Sequence, residues 1–170
     1  LVSTVIDTDL PLLVVPDTRI ALGQLAVLKR QSLDGQFVAV TGSSGKTTVK
    51  EMLQKVLFEA GEVEVTQGNF NNDIGVPLTL WGMRDHIDYR VLELGANHIG
   101  EIAYTSRIVM ADVAILNNAQ EAHLSGFGGL DGVVKAKGEI ISGLSEQGQV
   151  VLNLDDPHVS EDRKSTRLNS

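Results

Sequence analysis

A chain of 170 residues, 42% hydrophobic and 4% aromatic, can bury one domain-sized core. Its 22 acidic against 14 basic residues give a net charge of −8, which argues against a nucleic-acid partner, because no basic stripe is present to displace counterions. The absence of cysteine excludes a disulfide framework and a thiolate metal site, and no apolar run reaches transmembrane length, so a cytoplasmic protein without membrane insertion is expected.

The chain opens at Leu1 inside an apolar stretch and reads as a piece of a longer protein. Leu10 to Val15 reads as a short strand closed by Pro16, and Asp17 or Thr18 can cap a helix with the face Ile20, Ala21, Leu25, Leu28. Ser32 to Gly35 then breaks the pattern. Residues 1–35 are therefore expected to be the end of a preceding domain plus a connecting helix, with the main domain over 36–160. The polar string 161–170 has neither periodicity nor apolar content and reads as a non-native or linker tail.

From Phe37 strand and helix patterns alternate. Strands are expected at Phe37–Thr41, Val63–Thr66, Tyr89–Leu94, Val113–Asn117 and Gln149–Leu152. Helices are expected at Thr47–Ala60, Val76–Met83, Gly100–Val109 and Leu130–Leu144. This order predicts an α/β fold with a mostly parallel sheet, helices on both faces and ligands beyond the carboxyl ends of the strands.

The strand at Phe37 runs into Gly42-Ser43-Ser44-Gly45-Lys46-Thr47-Thr48 and then an amphipathic helix. That is the context of a phosphate-binding loop. Gly42 and Gly45 let successive N–H groups curl around one anion, the helix N-terminus adds its dipole, Lys46 supplies a point charge, and the Thr47 hydroxyl can sit on Mg²⁺. The general pattern wants glycine where Val40 stands, so the loop is a variant.

Three further segments fall at strand ends. Glu93 can ligate Mg²⁺ directly or through water, and His98 behind it can touch a phosphate or carboxylate or serve as a structural loop residue. His123, after the strand at Val113, could ligate a second cation or be a satisfied loop histidine. Asn69, Asn71 and Asn72 offer uncharged donors and acceptors, equally suited to a polar ligand and to turns. Lys135 and Lys137 lie in a helical stretch where lysines ordinarily form a solvated face.

In this order the motifs resemble the central ATP-binding domain of the Mur ligases: Thr41-Gly-Ser-Ser-Gly-Lys-Thr47, Gly68-Asn-Phe-Asn-Asn-Asp-Ile-Gly-Val-Pro77, Glu93-Leu-Gly-Ala-Asn-His98, Ala122-His-Leu-Ser-Gly-Phe-Gly128 and Lys135-Ala-Lys-Gly-Glu-Ile140. The resemblance runs from about Asp17 to Asp156 and is greatest to the branch acting on UDP-N-acetylmuramoyl-tripeptide and D-alanyl-D-alanine. It implies an amide ligase in peptidoglycan precursor synthesis, in which ATP phosphorylates a carboxylate and the dipeptide amine attacks the acyl phosphate. It further implies ATP and Mg²⁺ as cofactors, a metal held by Thr47 and Glu93 with His123 at a second metal, and substrate contacts from Asn69, Asn71, Asn72 and His98. Lys137 matches a lysine that is carbamylated in related ligases. A monomer is expected, and this chain alone is expected to be inactive as a ligase, since most of the UDP-recognition domain and the carboxy-terminal domain are missing. The alternatives are another Mur or folylpolyglutamate synthase-like ligase, or a P-loop ATP-binding module without ligation.

Overall fold

Phe37 and Ala39 alternate with Val38 and Val40, so the two pairs face opposite sides of any sheet this strand joins, and all four are buried. A strand buried on both faces belongs in the middle of a sheet. The computed structural model, which describes residues 1–120 and 127–159, has it there. Strand β1 (Gln36–Thr41) pairs in parallel with two strands that follow later in the chain, Tyr89–Glu93 and Val113–Leu116. With β2 (Val63–Val65), β3 (Tyr89–Glu93), β4 (Val113–Leu116) and β5 (Gln149–Leu152), the described residues form one parallel sheet of order β2-β3-β1-β4-β5.

The order decides which face each helix covers. The crossover from β1 to β2 steps one way along the sheet, whereas β2 to β3 and β3 to β4 step the other way. With right-handed crossovers, α2 (Lys46–Phe58) takes one face, and α3 (Gly75–Gly82) and α4 (Glu101–Val109) take the opposite one. The packing agrees. Val38, Val40, Val65 and Val91 meet Val49, Leu53 and Leu57 of α2. Phe37, Ala39, Leu92 and Ala114 form the larger core with Val76, Leu80, Ile102 and Val109. Because the chain leaves β1 and β3 on opposite faces, a crevice opens at their carboxyl ends, where such sheets bind ligands.

Differences from the expected elements have local causes. Among the described residues Leu10–Val15 forms no strand; Val14 makes only an isolated bridge with Val2. Helix α1 (Thr18–Ser32) is capped by Asp17, which accepts from the N–H groups of Arg19 and Ile20, but its buried face is Ala21, Gly23 and Ala26. Ile20 and Leu28 point outward. Small residues set this contact: a Cβ on Gly23 would lie 1.9 Å from the Tyr104 hydroxyl of α4. Ala26 and Leu33 share a core with Phe37, so α1 packs into the main domain. On α2, Met52 and Val56 are exposed while Val49, Leu53 and Leu57 pack, so the apolar stripe is narrower than its sequence pattern. The last predicted helix divides into α5 (Leu130–Gly138) and a 3₁₀ turn over Glu139–Gly143, the break falling at Gly138, a poor helix former.

Candidate functional site

The loop after β1 is held open as a cradle. Gly45 takes φ +72°, a left-handed conformation that favours glycine, and α2 starts directly after it. No side chain among the described residues caps α2, which leaves its first-turn N–H groups facing the loop mouth. Lys46 curls back to donate to the Gly42 carbonyl at 2.8 Å. Burial lowers the pKa of its ammonium, with Glu93 pulling the other way. Thr48, Ser44 and Thr47 are exposed at this rim, and Ser43 is half-buried.

Glu93 ends β3 opposite Val40 of β1, so the parallel register alone delivers its carboxylate to the loop. The side chain is 3% exposed. Oε2 accepts from the Thr47 hydroxyl at 3.0 Å and Oε1 from the Asn71 amide at 2.8 Å, while the backbone N–H donates to Thr66 Oγ1 at 3.0 Å. Among the described residues no three His, Cys, Asp or Glu side chains converge on a metal site. Thr47 and Glu93 nevertheless give adjacent hard oxygen donors, a set that fits Mg²⁺, which takes one or two protein oxygens and completes its shell with phosphate and water.

The remaining predicted residues disperse. Asn71 joins the loop through Glu93, whereas the Asn72 side chain accepts from the Ile74 and Gly75 N–H groups and so caps the start of α3. Asn69 is exposed, its carbonyl accepting from the Asn71 N–H at 2.8 Å. His98 pairs with Glu101 at 3.0 Å and lines a separate cleft of about 540 Å³ with Arg19, Asp73 and Tyr104. His123 lies outside the described residues, as does the 161–170 string. Lys137 departs from the solvated-face reading: it is 3% exposed and its ammonium sits 5.6 Å from the centroid of the Phe127 ring. Burial, reinforced by the charge of Lys46 and opposed by Glu101 and Glu139, lowers its pKa to about 8.

Other residues complete the site without having been singled out from sequence. Asn117 and Asn118 donate to the Ser44 carbonyl, Asn118 Oδ1 accepts from the Ser44 N–H, and the Ser43 hydroxyl bonds the Gln120 backbone, so the segment after β4 clasps the loop. A Cβ on Gly42 would lie 3.1 Å from that of Asn117, which explains the glycine. Lys50, one turn after Lys46, is buried and donates to the Thr66 carbonyl at 3.0 Å, tying α2 to the residue that receives the Glu93 N–H. The only sequence signal for Asn117, Asn118 and Gln120 was their position after a strand end on the same rim, and Lys50 carried none.

Comparison with known proteins adds three findings. A model of the Mur ligase middle domain matches residues 40–169. The UDP-N-acetylmuramoyl-tripeptide--D-alanyl-D-alanine ligase of Escherichia coli K12 is 54% identical over 155 residues, 91% of this chain but 34% of the relative. Among solved structures, MurF from Acinetobacter baumannii superposes with TM-score 0.92 at 46% identity over 97% of this chain and 37% of its own. MurF ligase from Thermotoga maritima in complex with ADP gives 0.87 at 34% identity over 95% and 38%. The chain thus spans about a third of the length of the curated relatives it matches.

Proposed function

The chain belongs to the Mur ligase middle-domain family, and on that premise we propose that the whole protein is an ATP-dependent ligase joining D-alanyl-D-alanine to UDP-N-acetylmuramoyl-tripeptide. The observation that carries this reading is the meeting of Lys46, Thr47 and the buried Glu93 carboxylate at the mouth of one glycine loop, 3.0 Å separating Thr47 Oγ1 from Glu93 Oε2. Amide formation from a carboxylate and ATP must bring two anions together, and a crowded anionic transition state needs fixed positive charge and aligned N–H groups. The Gly42–Thr48 loop supplies the N–H groups and the α2 dipole, and Lys46 supplies the charge.

Thr47 and Glu93 would hold Mg²⁺, which when bound neutralises phosphate charge. Asn117, Asn118 and Gln120 keep the loop curled before nucleotide arrives. Lys137 is the residue assigned to carbamylation: a lysine with its pKa near 8 has an appreciable neutral fraction at neutral pH, the form that can attack CO₂. His98, with Arg19, Asp73 and Tyr104, lines a cleft of a size suited to part of the UDP-linked peptide. Residues 1–35 would be the end of the UDP-substrate domain with its connecting helix; Val5, Leu10 and Leu13 are exposed apolar residues that another domain would cover. The whole protein is taken to act as a monomer in the cytoplasm; among the described residues no helix is long and apolar enough to cross a membrane.

The test is phosphate release from ATP by the whole protein. Release should require both UDP-N-acetylmuramoyl-tripeptide and D-alanyl-D-alanine, and Lys46→Ala should reduce it by at least about a hundredfold. Equal release without either acceptor would instead identify a nucleotide-hydrolysing module.

A further inference from the structure

We propose that Asn71 is a positioning residue that orients the Glu93 carboxylate to receive a divalent cation at the phosphate loop. The proposal rests on the nucleotide-site reading above and extends it to a residue that touches neither phosphate nor metal.

Glu93 is a buried carboxylate, and each of its oxygens needs a donor. Among the described residues only two side chains donate to it. Thr47 serves Oε2 at 3.0 Å and Asn71 Nδ2 serves Oε1 at 2.8 Å. Thr47 is also the hydroxyl expected to turn to the cation, so the Asn71 amide is the partner left to fix the carboxylate plane. Its chemistry suits the task. An ionised carboxylate accepts only, which forces the amide nitrogen towards it, and an uncharged donor orients the carboxylate without cancelling the charge that attracts the metal. A lysine in the same place would compete with the cation.

Asn71 is itself held tightly. Its carbonyl accepts from the Gly95 N–H at 2.7 Å, and its own N–H donates to the Asn69 carbonyl at 2.8 Å. Its amide lies where residue 95 would carry a side chain: a Cβ on Gly95 would stand 2.9 Å from Asn71 Oδ1 and 3.0 Å from Cγ. Gly95, two residues past Glu93, is therefore glycine so that the Asn71 amide can lie against the strand end. This gives the proposal an independent handle, because Gly95→Ala displaces the amide without altering any polar group.

The experiment measures ADP binding to the whole protein by calorimetry as Mg²⁺ is titrated, and again in EDTA. Asn71→Ala should raise the Mg²⁺ concentration for half-maximal enhancement by about tenfold, the usual consequence of removing an outer partner of a metal ligand, while ADP affinity in EDTA stays unchanged. Asn71→Leu, similar in size but without the amide, should behave alike and covers the case in which the alanine variant does not fold. Gly95→Ala should reproduce the shift, and Gly95→Ala in the Asn71→Ala background should add nothing further, since the obstructing amide is gone. Wild-type Mg²⁺ dependence in both Asn71 variants, with Glu93→Ala abolishing it, overturns the proposal and leaves the site reading standing. Mg²⁺-ADP binding that survives both Lys46→Ala and Glu93→Ala, or no ADP binding by the wild type, overturns both.

Discussion

Lys137 is a residue whose surroundings reverse what its neighbours in sequence suggest. Lys135, two positions earlier, is exposed, whereas Lys137 is buried beside Phe127. Burial favours the neutral amine, so the folded chain holds this proton less tightly than the unfolded chain does. The unfolded chain thus binds more protons between pH 8 and the ordinary lysine value of 10.5, and stability rises with pH across that window. Below about 8 the penalty is present in full. In CO₂-free buffer Lys137→Met should therefore stabilise the chain by about 1–2 kcal/mol near pH 7, and the advantage should narrow towards pH 9.5. Thermal melts of the two proteins at both pH values check this, and a gain independent of pH would contradict the assignment. Bicarbonate should then stabilise the wild type and leave the methionine variant unmoved, because only an amine can form a carbamate.

At the scale of elements, α4 shows how a motif can act through a helix that does not contain it. The residue at its N-cap, Gly100, offers no side chain for a cap. Glu139, from the turn after α5, accepts instead from the N–H groups of Gly100, at 2.7 and 2.9 Å, and of Ala103, at 3.1 Å. An acidic cap from a distant segment satisfies otherwise orphaned donors and meets the positive end of the helix dipole. Glu139→Ala should destabilise the chain by about 1–2 kcal/mol and speed amide exchange at Gly100 and Ala103, whereas Glu139→Gln should recover part of both. This pairing was invisible in the sequence, since 36 or more residues separate the partners. What was legible was periodic: β5 at Gln149–Leu152, the alternation that buries β1 on both faces, and the loop between β1 and α2. Those signals are local. The buried side of α1 was not legible, because it is chosen by the fit of Gly23 against Tyr104 and not by Ile20 and Leu28, the larger apolar groups. Glu93 could be read as a metal ligand from its strand-end position, while Asn71 was read as a turn residue or a substrate contact, and its contact with Glu93 appears only in the structure.

For the whole molecule, the sheet order would make the proposed nucleotide binding and folding stability a single property. Helix α2 covers the face formed by Val38, Val40, Val65 and Val91, and its first turn borders the glycine loop proposed to cradle phosphate. Around that turn, β1 supplies the loop, β3 supplies Glu93, and the segment after β4 supplies Asn117 and Asn118. A ligand that engages the loop therefore bonds groups tied to three adjacent strands and one covering helix, which exist together only in the folded chain. At about 100 times its Kd, such a ligand stabilises by about 2.7 kcal/mol. For a domain of this size that corresponds to a rise in Tm of about 5–10 °C. Mg²⁺-ADP should produce such a shift, Lys46→Ala should abolish it, and adenosine, which lacks phosphate, should leave the melting curve where it was. An equal response to adenosine would mean that the affinity resides in a base pocket and not at the glycine loop, and the assignment of Lys46, Thr47 and Glu93 would fail with it.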